Sequence, residues 1–173
     1  IEQKGLHYDE IITVSKNAKD MGGSQIWLEA GEKISVEDLI KGITLASGND
    51  AMVALAERIA GTEEAFVKLM NNKAKELGME NSRFVTPHGL DNEGHYTTAY
   101  ELALIADYAL NIEKFSQVVK TKTYTVSING NSKTITNTNE LLGYLNGVNG
   151  VKTGFTNGAG RCLVTSVERE GLN

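Results

Sequence analysis

Apolar residues follow two regimes along this chain: up to about position 120 they recur at helical spacing, and beyond it they alternate with polar ones. The β-branched stretch Asp9-Glu-Ile-Ile-Thr-Val-Ser15 predicts a strand or extended segment. A loop of small residues, Met21-Gly-Gly-Ser-Gln25, then leads to Ile26, Trp27 and Leu28. Ser35 with an acid at Asp38 is a helix-capping pattern, and Leu39, Ile40 and Ile43 behind it mark a helix face. The pattern breaks at Ser47-Gly-Asn-Asp50. It resumes from Ala51 to Ala60 in strong helix formers and stops at Gly61. Ser47, Gly48 and Asn49 are therefore predicted at a helix-to-helix junction. Thr62 opens a further helix whose Phe66, Leu69, Met70 and Leu77 share a face, ending at Gly78. Pro87 and Gly89 interrupt regular structure in Phe84-Val-Thr-Pro-His-Gly-Leu-Asp91, and Thr98-x-x-Glu101 caps a helix reaching about Leu110.

Tyr124, Val126 and Ile128 alternate with polar neighbours, and Asn129-Gly130 supplies the positive φ of a hairpin turn. Asn139–Leu142 reads as a short helical turn. Val148–Thr153 and Arg161–Val167 read as two strands around the glycine-rich Asn157-Gly-Ala-Gly160, and a turn begins at Arg169-Glu-Gly-Leu-Asn173. Mostly helix over 15–120 and mostly strand over 121–173 predict a single α+β domain, its helical region packed on an antiparallel sheet. So few clustered strands rarely make a stable open sheet, so the expectation includes strands missing at both ends.

The 173 residues are 40% hydrophobic, enough for one sizeable core. A net charge of -5 and a pI near 5.3 argue against nucleic acid, whose phosphates need clustered Lys and Arg. No charged-then-apolar leader is present, and no apolar run approaches the ~18 residues of a spanning helix. The chain begins at Ile1-Glu-Gln-Lys4 without Met, so processing or truncation is expected to have removed targeting segments. The single Cys162 allows no internal disulfide and is expected as a small buried residue. His88 and His95 lack a third ligand at metal spacing, so neither a metal nor a cofactor is expected, and His88 is read as part of a structural turn. Trp27, between Ile26 and Leu28, is read as a core or loop anchor.

Two tripeptides carry the chemistry: Ser47-Gly48-Asn49 at the helix junction and Lys152-Thr153-Gly154 at a strand end, about a hundred residues later. Each alone is ordinary turn chemistry. In that order and context they match part of the arrangement of penicillin-recognising enzymes. There a serine nucleophile needs a base, a carbonyl needs donors for its developing oxyanion, and a carboxylate-ended substrate needs a cation and hydroxyls.

The wider sequence resembles the D-alanyl-D-alanine carboxypeptidases of peptidase family S11, the low-molecular-mass penicillin-binding proteins. The likeness runs through 21–51, Phe66–Met79, Pro87-His-Gly-Leu-Asp91 and Val148-Asn-Gly-Val-Lys-Thr-Gly-Phe-Thr156, in the family's order. Thr138-Asn-Glu-Leu-Leu142 and Lys-Thr-Gly-Phe-Thr are most similar to sporulation-type members of Gram-positive bacteria. The resemblance implies a β-lactamase/transpeptidase-like fold and a serine acyl-enzyme that removes the terminal D-alanine of peptidoglycan stem peptides. It also implies acylation by β-lactams and an extracytoplasmic place in the bacterial envelope, with membrane association through a C-terminal anchor missing here. On it, Ser47 belongs to the proton relay, Asn49 holds the substrate amide and the acylating lysine, and Lys152 supplies positive charge. Thr153 binds the terminal carboxylate, Gly154 permits close approach of the strand, and the Phe155 N–H is an oxyanion donor. Ser24 borders the site without a chemical role.

The sequence departs from the family at several points. No serine is followed three residues later by lysine; Ser15-Lys-Asn-Ala-Lys19 comes closest. The chain is expected to begin just after the nucleophile helix and to end before the remaining core strand, a second domain and an anchor. Thr138 lies between Asn137 and Asn139, where several relatives carry arginine, and Phe155 stands where some carry histidine. The alternative is a non-catalytic peptidoglycan-binding or regulatory module that lost the nucleophile. A class A-type β-lactamase is disfavoured, because no glutamate suits deacylation.

Overall fold

Ser35 joins the first sheet to the helical region in the computed structural model, which describes residues 5–170. Residues 1–4 and 171–173 lie outside the described residues, and with them most of the turn expected from Arg169. Strand β1 (Ile11–Thr13), a short α1 (Lys16–Lys19) and β2 (Lys33–Ser35) come first, with β1 and β2 antiparallel. From β2 the chain enters α2 (Val36–Ala46) directly. Ser35 Oγ accepts the Asp38 N–H at 3.0 Å and donates to Asp38 Oδ2 at 2.9 Å, the expected cap. Helices α3 (Asn49–Ala60), α4 (Glu63–Glu76), α5 (Ala99–Leu110) and α6 (Glu113–Val119) follow. Thr62 and Thr98 cap α4 and α5 through their side chains, as their spacing predicts.

Strands β3 (Thr123–Ile128) and β4 (Asn131–Thr136) form the expected hairpin, turning at Asn129 (φ 50) and Gly130 (φ 81). The Ile34↔Ile128 pairing joins β2 to β3, giving one antiparallel sheet in the order β1-β2-β3-β4. Helix α2 packs on it, burying Val36, Leu39 and Leu45 against Ile12, Ile34, Val126 and Ile135, with Val53 of α3 in the same cluster. Strands β5 (Val148–Thr156) and β6 (Gly160–Val167) pair antiparallel as a second sheet. The α+β class is thus realised as helices and two antiparallel sheets, one of which takes strands from both halves of the sequence.

Four local readings need correction. Strand β2 leaves no periodic signal in the sequence, because three residues are too short to show alternation. Asn139–Leu142 forms consecutive turns instead of a helical turn; Asn139 Oδ1 accepts the Leu141 N–H at 3.2 Å, a side-chain bond that competes with helix. Cys162 is exposed, as is Leu163 beside it, so this apolar stretch of β6 is not a core strand. Trp27 is 70% exposed although Ile26 and Leu28 are buried. The cause is the Asp50 carboxylate, which accepts the N–H groups of Ile26 and Leu28 and leaves the residue between them at φ 65, facing outward.

Candidate active site

Ser47 ends α2 in the left-handed region (φ 58, ψ 34), its N–H bonded to the Gly42 carbonyl. A non-glycine residue there costs about 1 kcal/mol, and the sharp reversal turns the chain into α3 within two residues. Gly48 fits because a Cβ would stand 3.0 Å from Asp50 Oδ1 and 3.3 Å from Ile26. Asn49, 6% exposed, opens α3 under the Met21–Gln25 loop. Its N–H donates to Ser24 O and its Nδ2 to Gly22 O, both at 2.8 Å. Gly23 must be glycine: its φ is +81 and a Cβ would lie 2.5 Å from Asn49 Nδ2. Buried Asp50 completes this wall by accepting from Ile26, Leu28 and Ala51 N–H groups.

The opposite wall is β5. Val151 is buried, and the alternation of the strand turns Lys152 toward the helix junction. Lys152 Nζ donates to Ser47 Oγ at 3.0 Å and to Thr153 O at 2.8 Å. Burial pushes its ammonium below the usual lysine range. Both acceptors are neutral oxygens, so the charge remains available to an anion. Thr153 Oγ1 lies 2.6 Å from Thr138 Oγ1. Gly154 is exposed; a Cβ would meet only Cys162 Cβ, at 3.8 Å, so this edge is open. Phe155 follows with its side chain 67% exposed.

Of the six site residues read from the sequence, Ser47 and Lys152 are in direct contact and Thr153 adjoins them. Gly154 and Phe155 extend the same strand edge. Asn49 is adjacent in chain, but its amide nitrogen goes to Gly22 O and not to Lys152.

Two further residues shape this site. Thr138, read only as a missing cation, is aimed at Thr153 because its neighbours point inward: Asn137 Nδ2 donates to Thr121 O and Asn139 Nδ2 to Gly150 O. Asp91 ends the Pro87–Asp91 turn and accepts the Gly158 N–H at 2.9 Å. The tight Asn157-Gly-Ala-Gly160 turn was the available signal, since a Cβ on Gly158 would sit 2.9 Å from Asp91 Oδ1.

The histidines serve neighbouring turns. His88 Nδ1 accepts the Leu90 N–H at 3.3 Å and its Nε2 lies 3.8 Å from Glu63; the ring of His95 stands edge-on to Phe84. Among the described residues no group of three or more His, Cys, Asp or Glu could hold a metal ion, and no helix is long and apolar enough to cross a membrane.

Comparison with known proteins agrees with this architecture. The chain matches the Peptidase S11 family, D-alanyl-D-alanine carboxypeptidase, over residues 1–173. It is 47% identical over 170 residues to the D-alanyl-D-alanine carboxypeptidase DacF of Bacillus subtilis, covering 98% of this chain and 44% of that protein. It is 40% identical to DacD of Escherichia coli, again over 44% of the relative's length. The crystal structure of the Streptomyces K15 DD-transpeptidase superposes with a TM-score of 0.92 at 35% identity, covering 98% of this chain and 71% of that one. That of DacD from Francisella tularensis gives 0.90 at 33% identity, covering 99% and 53%. The chain thus spans under half the length of these curated relatives. With the whole sequence matched in order and the fold shared, the chain belongs to the D-alanyl-D-alanine carboxypeptidase family, peptidase S11.

Proposed function

We propose that these residues form an internal part of the catalytic domain of a penicillin-binding D-alanyl-D-alanine carboxypeptidase, with the nucleophilic Ser-x-x-Lys supplied from outside this sequence. The observation that carries the reading is the 3.0 Å contact between Lys152 Nζ and Ser47 Oγ, which joins two signatures 105 residues apart into one polar cleft.

In the proposed reaction, the serine oxygen attacks the carbonyl carbon of the penultimate D-alanine, and the C–N bond to the terminal D-alanine breaks. The nucleophile's proton goes to the lysine of Ser-x-x-Lys, and the Ser47 hydroxyl, polarised by Lys152, relays it to the departing amine, giving up its own proton as it takes that one. Lys152 and the Thr153 hydroxyl receive the terminal carboxylate, and the Phe155 N–H with the nucleophile's own N–H stabilises the oxyanion. Water then releases the acyl group, whereas an amine acceptor would give transpeptidation. A β-lactam carries a comparable carboxylate and acyl carbon, so it acylates the same serine. Peptidoglycan as substrate puts the protein outside the cytoplasm, in the cell envelope.

The full-length gene product, incubated with a fluorescent penicillin and examined by intact-mass spectrometry, should gain one covalent adduct. Absence of an adduct overturns the carboxypeptidase reading in favour of a peptidoglycan-binding module without catalysis.

A further inference from the structure

The Pro87–Asp91 turn touches both walls of the cleft. On one side, a Cβ placed on Gly23 would lie 3.3 Å from Leu90 Cδ2, so the Leu90 side chain rests against the loop that covers Asn49. On the other, Asp91 Oδ2 accepts the Gly158 N–H at 2.9 Å, and the Thr156 hydroxyl lies close enough to the same carboxylate to help hold it ionised. Thr156 is the last residue of β5, one position beyond Phe155. Its oxygen in turn accepts the Ala159 N–H at 3.0 Å, so one carboxylate and one hydroxyl organise the whole β5–β6 turn. These bonds, the Thr156 hydroxyl foremost, hold the Asp91 carboxyl below its usual range, so it is ionised near neutral pH.

The turn is built to carry that load. Gly89, at φ +81, donates its N–H to Thr86 Oγ1 at 3.1 Å, and Leu90 donates to His88 Nδ1, which fixes the direction in which Leu90 and Asp91 leave the turn. The inner part of β5 has its own ties, from Asn139 to Gly150 O, Thr138 to Thr153 and Lys152 to Ser47. The segment from Gly154 outward is largely exposed, and Asp91 reaches its end from the turn between α4 and α5.

We propose that Asp91 is a positioning residue: through Thr156 and Gly158 it fixes the outer end of β5, and with it Gly154 and Phe155, against the Ser47–Asn49 wall. This rests on the proposed acylation at the same cleft. The strand edge that would receive the acyl carbonyl is held from its far end, where ~1 Å of drift can cost about a hundredfold in rate.

The test uses the full-length protein with Asp91→Ala, Asp91→Asn, Asp91→Glu and Thr156→Val. Fluorescent-penicillin acylation should fall at least tenfold in Asp91→Ala, with the loss in the acylation step and not in the initial binding constant. Asp91→Asn, which keeps one acceptor oxygen, should lose less, and Asp91→Glu should recover part of the rate. Adding Thr156→Val to Asp91→Ala should lower the rate little further, since both act through one turn. In NMR spectra the Gly158 and Phe155 amides should shift and the Gly158 amide should lose protection from exchange in Asp91→Ala. Unchanged amides, or wild-type acylation by Asp91→Ala, overturn the assignment; so does a rate loss matched by a fall in melting temperature across all variants. If the wild-type protein itself takes no penicillin, the proposed function fails, while the amide shifts still decide whether Asp91 holds the strand.

Discussion

Lys152 and Ser47 are bonded side chain to side chain at 3.0 Å, and among the described residues the cation has only neutral oxygens, Ser47 Oγ and Thr153 O, as hydrogen-bond acceptors. A half-buried cation without an anionic partner costs the fold stability. Lys152→Ala in the full-length protein should slow penicillin acylation by about two to three orders of magnitude, the scale of losing a central electrostatic stabiliser. Lys152→Met should be equally slow yet more stable than wild type by about 1 kcal/mol, because it removes the desolvated charge. The sign follows from the lowered lysine pKa: below its folded value the penalty is fully present, and it is relieved as pH rises toward the ordinary lysine range. Stability in denaturant should therefore climb with pH in wild type more than in Lys152→Met. A variant that acylates normally would remove Lys152 from the mechanism.

Thr138 offers the Thr153 hydroxyl a partner at 2.6 Å on an exposed edge. Thr138→Val should leave stability unchanged and reduce acylation by a carboxylate-bearing β-lactam about fivefold, the scale of one hydrogen bond. Thr138→Arg should raise that rate, by placing a fixed cation beside Thr153. The matching β-lactam ester should feel neither change. Equal effects on acid and ester would show that Thr138 does not meet the carboxylate.

Much of this architecture was legible in the sequence because the signals were local. Ser35, Thr62 and Thr98 announce helix starts through their own side chains, and Asn129-Gly130 announces a hairpin through its own backbone. The junction at Ser47 and the strand at Lys152 were likewise visible. What escaped depends on contacts between distant segments. Whether Trp27 faces inward is decided by Asp50, and whether Cys162 is covered is decided by what packs on β6. Thr138 was read as lacking a charge when its geometric role comes from the inward bonds of Asn137 and Asn139. Asp91 belongs to the Pro87–Asp91 turn motif, but its partner at Gly158 lies 67 residues away.

Asp50 is fully buried and satisfies three N–H groups around the junction. Asp50→Ala strands these donors and should cost about 3 kcal/mol or more, with Asp50→Asn intermediate. Urea unfolding measures the difference. A cost near zero for Asp50→Ala would mean that water replaces the carboxylate, contrary to its role here.

His88 and His95 are both held below the usual histidine range, chiefly by burial; for His88, Glu63 partly opposes this and the neighbouring His95 adds to it. Depressed histidines bind protons more readily in the unfolded chain, so their contribution is full above about pH 6.5 and is lost as pH falls through the lowered folded values. The protein should lose stability between pH 7.5 and pH 5 from this source. The double variant His88→Gln with His95→Gln should flatten that slope in denaturant titrations. An unchanged slope would assign the acid sensitivity to other groups.

The separation of the two signatures also sets the order in which the molecule can become competent. Ser47 lies at the end of a helix whose hydrogen bonds join residues close in sequence, whereas its meeting with Lys152 closes a loop of 105 residues. Loop-closure entropy must be met before such a contact rewards the chain, so local helices precede it in time. In refolding, ellipticity should recover before drug capture does. The antibiotic thereby becomes a stopwatch for the last long-range closure of the fold.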